Sequence, residues 1–250
     1  MPKNKMKWPN NKRWVYSITY DEGLQNLLKY VLPLHRQYQL PGHVCVVAKE
    51  IGKVRNCRGS DYNGLRVLSK KEINALAGEG WGVSNHSMTH SRIKPANARS
   101  EVIDSKKIIE DLLGIPITLF CVPRNHRSYR PAVRVAKKAG YCGIMTIIDG
   151  VNSDPISLMK LFRCPLISRG PEPFLSAFDP FHRIQQMRMV GGWLIDYCHC
   201  PMPEAPINEA KDCTTEQLEA RFRAVTEIGE NDVWLAEPNE VVKHIRESKK

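Results

Sequence analysis

No stretch of this 250-residue chain stays apolar for anything near the roughly 18 residues a membrane helix requires, so no transmembrane span is expected. Nothing repeats at a fixed period and no low-complexity linker divides the chain, so one enzyme-sized domain is expected. The basic start, Met1 to Lys7, has no apolar stretch behind it and does not read as a signal peptide; a cytoplasmic location is the expectation. Aromatic residues make up 8% and are scattered, mostly in strand-like runs, rather than arrayed for base stacking. That argues against nucleic-acid binding as the main role. Acidic residues are scarce, 26 against 37 lysines and arginines, for a net charge of +11. Between Arg124 and Lys138 there is no acidic residue at all, whereas Arg124, His126, Arg127, Arg130, Arg134, Lys137 and Lys138 all fall there. A field of that sign favours an anionic partner. With 42% hydrophobic and 25% charged residues, the composition excludes a disordered chain.

Eight cysteines are present, but an even count implies no disulfide framework in a chain this long. Cys198-His199-Cys200 has the wrong spacing for a structural zinc site, and no second cysteine pair accompanies it. In a strand, Cys198 and Cys200 share one face while His199 takes the other.

The pattern along the chain alternates strands and helices. Strands are expected at 14–20, 43–48, 81–85, 117–122, 142–148, 192–200 and 233–235. Helices are expected at 24–38, 69–80 (opened by the capping box Ser69-Lys70-Lys71-Glu72), 98–113, 131–139, 215–228 and 239–248. The segment 155–180 has no clear pattern. Repeated βα units predict a mostly parallel sheet or barrel with its chemistry at the carboxyl ends of the strands.

Two clusters fall at such ends. Asp21-Glu22-Gly23 presents adjacent carboxylates, and Asn85-His86-Ser87-Met88-Thr89-His90 presents two imidazoles four residues apart. One carboxylate and two histidines can bind a divalent metal with a position left open, and the spare carboxylate can act as a base. Either cluster alone reads as well as an acidic helix start or a solvated loop. Spacing does not say which carboxylate would bind metal. Two further strand ends, Phe120-Cys121-Val122-Pro123-Arg124-Asn125 and Trp193-Leu194-Ile195-Asp196-Tyr197-Cys198-His199, complete the set.

In this order the clusters resemble the polysaccharide deacetylases, the NodB-homology carbohydrate esterases, over roughly residues 14–246. The resemblance implies a distorted (β/α) barrel of seven or so parallel strands. A single catalytic domain, 14–250, would follow a basic extension, 1–13. It implies Asp21 as base and Glu22, His86 and His90 as ligands of one divalent ion, zinc first, with cobalt or nickel as alternatives. His199 would be the acid, and the Arg124 backbone N–H would help bind an oxyanion beside Pro123. Tyr197 stands where the family has Leu, which implies a more polar acyl pocket. His126 and Arg127, in the basic loop after Pro123, are expected to border the substrate. The implied activity is metal-dependent cleavage of the amide of an N-acetylated amino sugar in a glycan, anionic if the charge field is used. Two departures stand out: Glu22 replaces the usual Asp, and Cys121 replaces an arginine that holds the base. Arg124 or Arg127 could supply that cation. Other readings are a small-molecule amide hydrolase on the same fold, a metal-binding inactive relative, or a thiol enzyme pairing Cys121 with His199.

Overall fold

The computed structural model describes residues 6–168, 182–229 and 231–248. Its centre is β1 (Trp14–Asp21), buried at all eight positions. Around it lie β2 (His43–Val46), β3 (Gly82–Asn85), β4 (Leu119–Cys121), β5 (Gly143–Met145), β6 (Cys164–Pro165), β7 (Gly192–Cys198) and β8 (Val233–Leu235). Seven strands follow one path, β5-β4-β3-β2-β1-β7-β6, and β8 pairs with the first half of β1. Every pairing between these strands is parallel. A parallel bridge from Met145 to Leu161 carries the segment before β6 alongside β5, so the sheet curls towards closure. The result is the distorted half-barrel expected.

Side-chain alternation along β1 divides the interior in two. Trp14, Tyr16, Ile18 and Tyr20 pack with Leu27, Ile73, Ile109 and Phe222 from the covering helices. Val15 belongs to a second cluster with Leu119, Met145, Trp193 and Ile195. Ser17, Thr19 and Asp21 continue that second face, so the interior grows polar towards the carboxyl end. Registers Asp21↔Cys45, Val46↔Asn85, Asn85↔Phe120 and Thr19↔Tyr197 bring the four motif-bearing strand ends to one rim.

The helices are α1 (Asn26–Tyr30), α2 (Leu32–Gln37), α3 (Lys70–Gly78), α4 (Ser105–Leu113), α5 (Tyr129–Ala136), α6 (His182–Val190), α7 (Thr215–Gly229) and α8 (Pro238–Glu247). The single helix expected over 24–38 is broken into α1 and α2, because Pro33 supplies no N–H and crowds the preceding turn. The Ser69–Glu72 capping box is present in full. A π-helical turn, Arg99–Asp104, leads into α4. The segment without a clear pattern contains β6, a strand of two residues ending in proline; its part from 169 to 180 lies outside the described residues. Ahead of β1, Trp8 is buried against Trp234 and His244, with ring centroids 6.1 and 5.8 Å apart. No helix among the described residues is long and apolar enough to cross a membrane.

Candidate active site

A cavity of about 150 Å³ opens at the rim, lined by Asp21, Glu22, His86, His90, Val122, Arg124, Tyr197 and His199, and by Tyr62 and Lys211 from neighbouring loops. Backbone strain concentrates here. Of the non-glycine residues with positive φ, Glu22 (74°), Ser87 (78°), His90 (56°) and Arg124 (69°) all belong to the motifs. Each such residue costs on the order of 1 kcal/mol or more and persists only where its surroundings hold it.

The histidine loop is held by its own sequence. Asn85 Oδ1 accepts the Ser87 N–H (2.7 Å), and Ser87 Oγ accepts the His90 N–H (2.9 Å). From outside, the buried Glu101 accepts the N–H groups of Met88 and Thr89, both at 3.1 Å. His86 Nδ1 donates to the Cys121 carbonyl (3.1 Å), which leaves the Nε2 lone pair towards the cavity, 3.9 Å from Asp21 Oδ2. That is the tautomer a metal-ligating imidazole needs. Burial lowers His86 to about 4, so it is neutral at ordinary pH.

Asp21 is gripped by Arg163. One guanidinium nitrogen donates to Oδ1 (2.7 Å) and to Thr19 Oγ1 (2.9 Å), and another donates to Oδ2 (3.0 Å); Nε donates to the Thr146 carbonyl (2.8 Å). Arg163 is fully buried and lies over the Tyr197 ring, 4.2 Å from its centroid. Burial opposes the charge on Asp21, but Arg163 and then His86 outweigh it and hold the carboxyl well below the usual range. The cation beside Asp21 is therefore Arg163, the residue before β6, and not Arg124 or Arg127. The Arg124 side chain instead donates to the carbonyls of His90 and Arg58, both at 3.0 Å.

Glu22 faces a second buried arginine that the sequence pattern did not single out. Arg55 Nε lies 2.7 Å from Glu22 Oε2, but its hydrogen is directed at Ser60 Oγ (3.1 Å). Glu22 Oε2 is thus ion-paired yet without a hydrogen bond. Burial raises the Glu22 pKa, against the opposing pull of His199 and Arg55. Glu22 Oε1 is 3.5 Å from His90 Nε2.

His199 has a carboxylate behind it. Asp212 Oδ1 accepts the backbone N–H groups of His199 (2.6 Å) and Cys200 (2.9 Å) and lies 3.5 Å from His199 Nδ1, while Oδ2 accepts the Tyr62 hydroxyl (2.5 Å). Tyr62 stacks on the imidazole at 5.1 Å. Burial works against the imidazolium, but Asp212 and then Glu22 and Asp21 prevail and raise His199 to about 9. Asp196, without an assigned role in the sequence, is committed to a core ion pair with Arg221 (2.7 Å) and to the Tyr16 hydroxyl (2.8 Å).

Among the described residues, the one group of three potential ligands with all donor atoms within 4.8 Å is Asp21, Cys45 and Cys121. Asp21 already spends both oxygens on Arg163, and Cys121 Sγ donates to Asp21 Oδ1 at 3.4 Å. Burial pushes the Cys121 thiol far up. In this cluster the Cys121 thiol is a hydrogen-bond donor to the ionised Asp21 carboxylate, and the same facts remove Cys121 as a nucleophile, since thiolate is the reactive form. His126 and Arg127 line a separate groove of about 450 Å³ with Tyr129, Arg130, Ile148 and Lys160.

The profile of the family described as Polysaccharide deacetylase matches residues 9–144. In fold the chain is similar to a Mycobacterium smegmatis protein provisionally described as a polysaccharide deacetylase, with TM-score 0.61 and 14% identity over 100% of this chain and 96% of that one. It is also similar to polysaccharide deacetylase Bc1974 from Bacillus cereus, with TM-score 0.56 and 14% identity over 90% and 92%. A mutant of BA3943, a CE4 family pseudoenzyme with restored enzymatic activity, aligns with TM-score 0.55 and 15% identity over 94% and 69%. No curated protein matches the chain. The fold and the rim of motif residues define a parallel α/β half-barrel of the NodB type. The chain belongs to the polysaccharide deacetylase family.

Proposed function

We propose that this chain is a metal-dependent amide hydrolase that removes the acetyl group from an N-acetylated amino sugar of a glycan. The observation that carries the reading is the convergence of Asp21, Glu22, His86, His90 and His199 on one cavity at the strand ends. The donor set suits a divalent ion: a free Nε2 on His86, a carboxylate on Glu22 short of hydrogen-bond donors, and His90 beside it. Glu22, His86 and His90 would hold a divalent ion, zinc first and cobalt or nickel next, which would lower the pKa of water and polarise the acyl oxygen.

Asp21 takes the water proton. Arg163 keeps this carboxylate ionised, so it is free to accept a proton. Arg163 keeps both Asp21 oxygens oriented, leaving their remaining lone pairs for the proton. The developing oxyanion is met by the backbone N–H of Arg124, fixed in place by the left-handed turn at that residue. His199, cationic below about pH 9, gives its proton to the leaving nitrogen; the Lys211 carbonyl accepts its Nδ1–H (3.3 Å) and orients the ring, while Asp212, 3.5 Å away, holds its charge. Tyr197, half-buried at the cavity wall, contributes polarity next to the acyl group.

An anionic glycan is the substrate class the charge supports best. Arg127 and Arg130 make no side-chain ion pair or hydrogen bond among the described residues, and they share their groove with His126 and Lys160. The test is acetate release from N-acetylglucosamine oligomers, neutral and carboxylated, before and after chelator treatment. Expected are turnover that disappears with chelator, returns with zinc, and is faster on the carboxylated series. Absence of turnover on every glycan with zinc present would overturn this reading in favour of a metal-binding inactive relative.

A further inference from the structure

Arg55 comes from the loop between β2 and α3, and its side chain is entirely buried. It touches both residues that would flank the ion on one side. Its Nε lies 2.7 Å from Glu22 Oε2, and another of its nitrogens lies 3.2 Å from His90 Nδ1. It also ion-pairs with Glu50 and donates to Ser60. A guanidinium has five N–H donors and no lone pair, so at the His90 contact it can only donate, and His90 Nδ1 must accept. A neutral imidazole accepting at Nδ1 carries its proton on Nε2. That nitrogen lies 3.5 Å from Glu22 Oε1. In this state Glu22 and His90 are both engaged by the protein's own cation, and the Nε2 lone pair that a metal would need is capped by a proton. His86 differs, because its Nδ1 faces a carbonyl and its Nε2 is free.

We propose that Arg55 competes with the divalent ion for Glu22 and His90 and thereby sets the metal affinity of the site. The inference rests on the metal-site reading above. For the ion to seat, the His90 proton moves from Nε2 to Nδ1, and the guanidinium, now facing another donor, withdraws towards Glu50 and Ser60. Both of these already hold it.

The experiment is zinc titration of the metal-free protein by calorimetry, for wild type, Arg55→Gln, and Arg55→Gln combined with Glu50→Gln. The double variant removes the carboxylate that would otherwise be stranded. Tautomer assignment of His90 by nitrogen NMR on the wild-type protein accompanies it. Expected are an Nε2-protonated His90 in the metal-free wild type and zinc affinity at least about tenfold tighter in the Arg55 variants, the scale of one lost charge-assisted hydrogen bond. Wild-type His90 protonated on Nδ1 overturns the competition without recourse to any variant. So does equal or weaker zinc affinity in both Arg55 variants while His86→Ala abolishes binding, an outcome that leaves the metal site standing. Zinc binding that survives His86→Ala overturns the site itself.

Discussion

Asp21 and Glu22 are adjacent in sequence and both buried, yet the two halves of the site hold them in different ways. The strand-borne half is saturated: Asp21 ends β1, and Arg163 donates to both of its oxygens while tying itself to Thr19 and Thr146. The loop-borne half is under-supplied: Glu22 sits at a positive φ, and its Oε2 has an ion-pair partner but no hydrogen bond. The first carboxylate is held ionised and in one orientation, the state from which a base accepts a proton. The second retains bonding capacity, which suits a ligand. The roles proposed for these two positions would then have a local physical cause in this chain.

The largest expected effect tests the saturated half. Arg163→Met should cost about 3–5 kcal/mol of stability, because it strands a buried carboxylate, and should abolish turnover. Chemical denaturation measures the first and acetate release the second. A stability loss within about 0.5 kcal/mol, the range of ordinary surface changes, would show that Arg163 does not carry this half.

Next in size is the exchange of roles. Asp21→Asn should reduce turnover about a hundredfold or more, the usual worth of a general base, while zinc still binds. Glu22→Gln should instead weaken zinc binding. Metal analysis showing the reverse pattern would mean the two carboxylates have swapped parts.

The pH profile separates the halves more finely. Turnover should fall as pH rises through about 9, where His199 loses its proton, and Asp212→Asn should move that limb down towards the ordinary value of 6.5. The same raised pKa contributes stability that is fully present below about 6.5 and lost as pH climbs through about 9. Asp21 runs the other way: its contribution is present above the ordinary carboxylate pKa of 3.8 and is lost only as pH falls well beneath it. An alkaline limb unmoved by Asp212→Asn would remove His199 as the acid.

The smallest effect lies outside both halves. Arg127→Ala should raise KM for a carboxylated glycan by a few-fold at low salt and flatten its salt dependence, since such attraction is screened over about 10 Å at 0.1 M. Wild-type kinetics at both salt levels would return Arg127 to the solvated surface.

Much of the barrel was legible because strands and helices declare themselves over short windows. The capping box at Ser69 opened a helix where expected, and Pro33 carried its own warning of the break between α1 and α2. The cations were another matter. Arg163 precedes a strand of two residues, too short for any alternation to register, and Pro165 argues against a strand at all. Arg55 lies in a loop whose other residues, Lys53, Arg58 and Arg66 among them, look equally solvent-bound in sequence. Asp212 has no motif around it.

The sequence by itself determined the order of strand ends, the polar face of β1 that leads to Asp21, and the Asn85-Ser87 turn that presents His86 and His90. All of these depend on residues within a few positions of one another. Only the tertiary structure decided which charge meets which. Arg163 reaches Asp21 across 142 residues and His90 meets Arg55 across 35, because burial removes water as a competitor and leaves each carboxylate to the nearest guanidinium the packed chain can deliver.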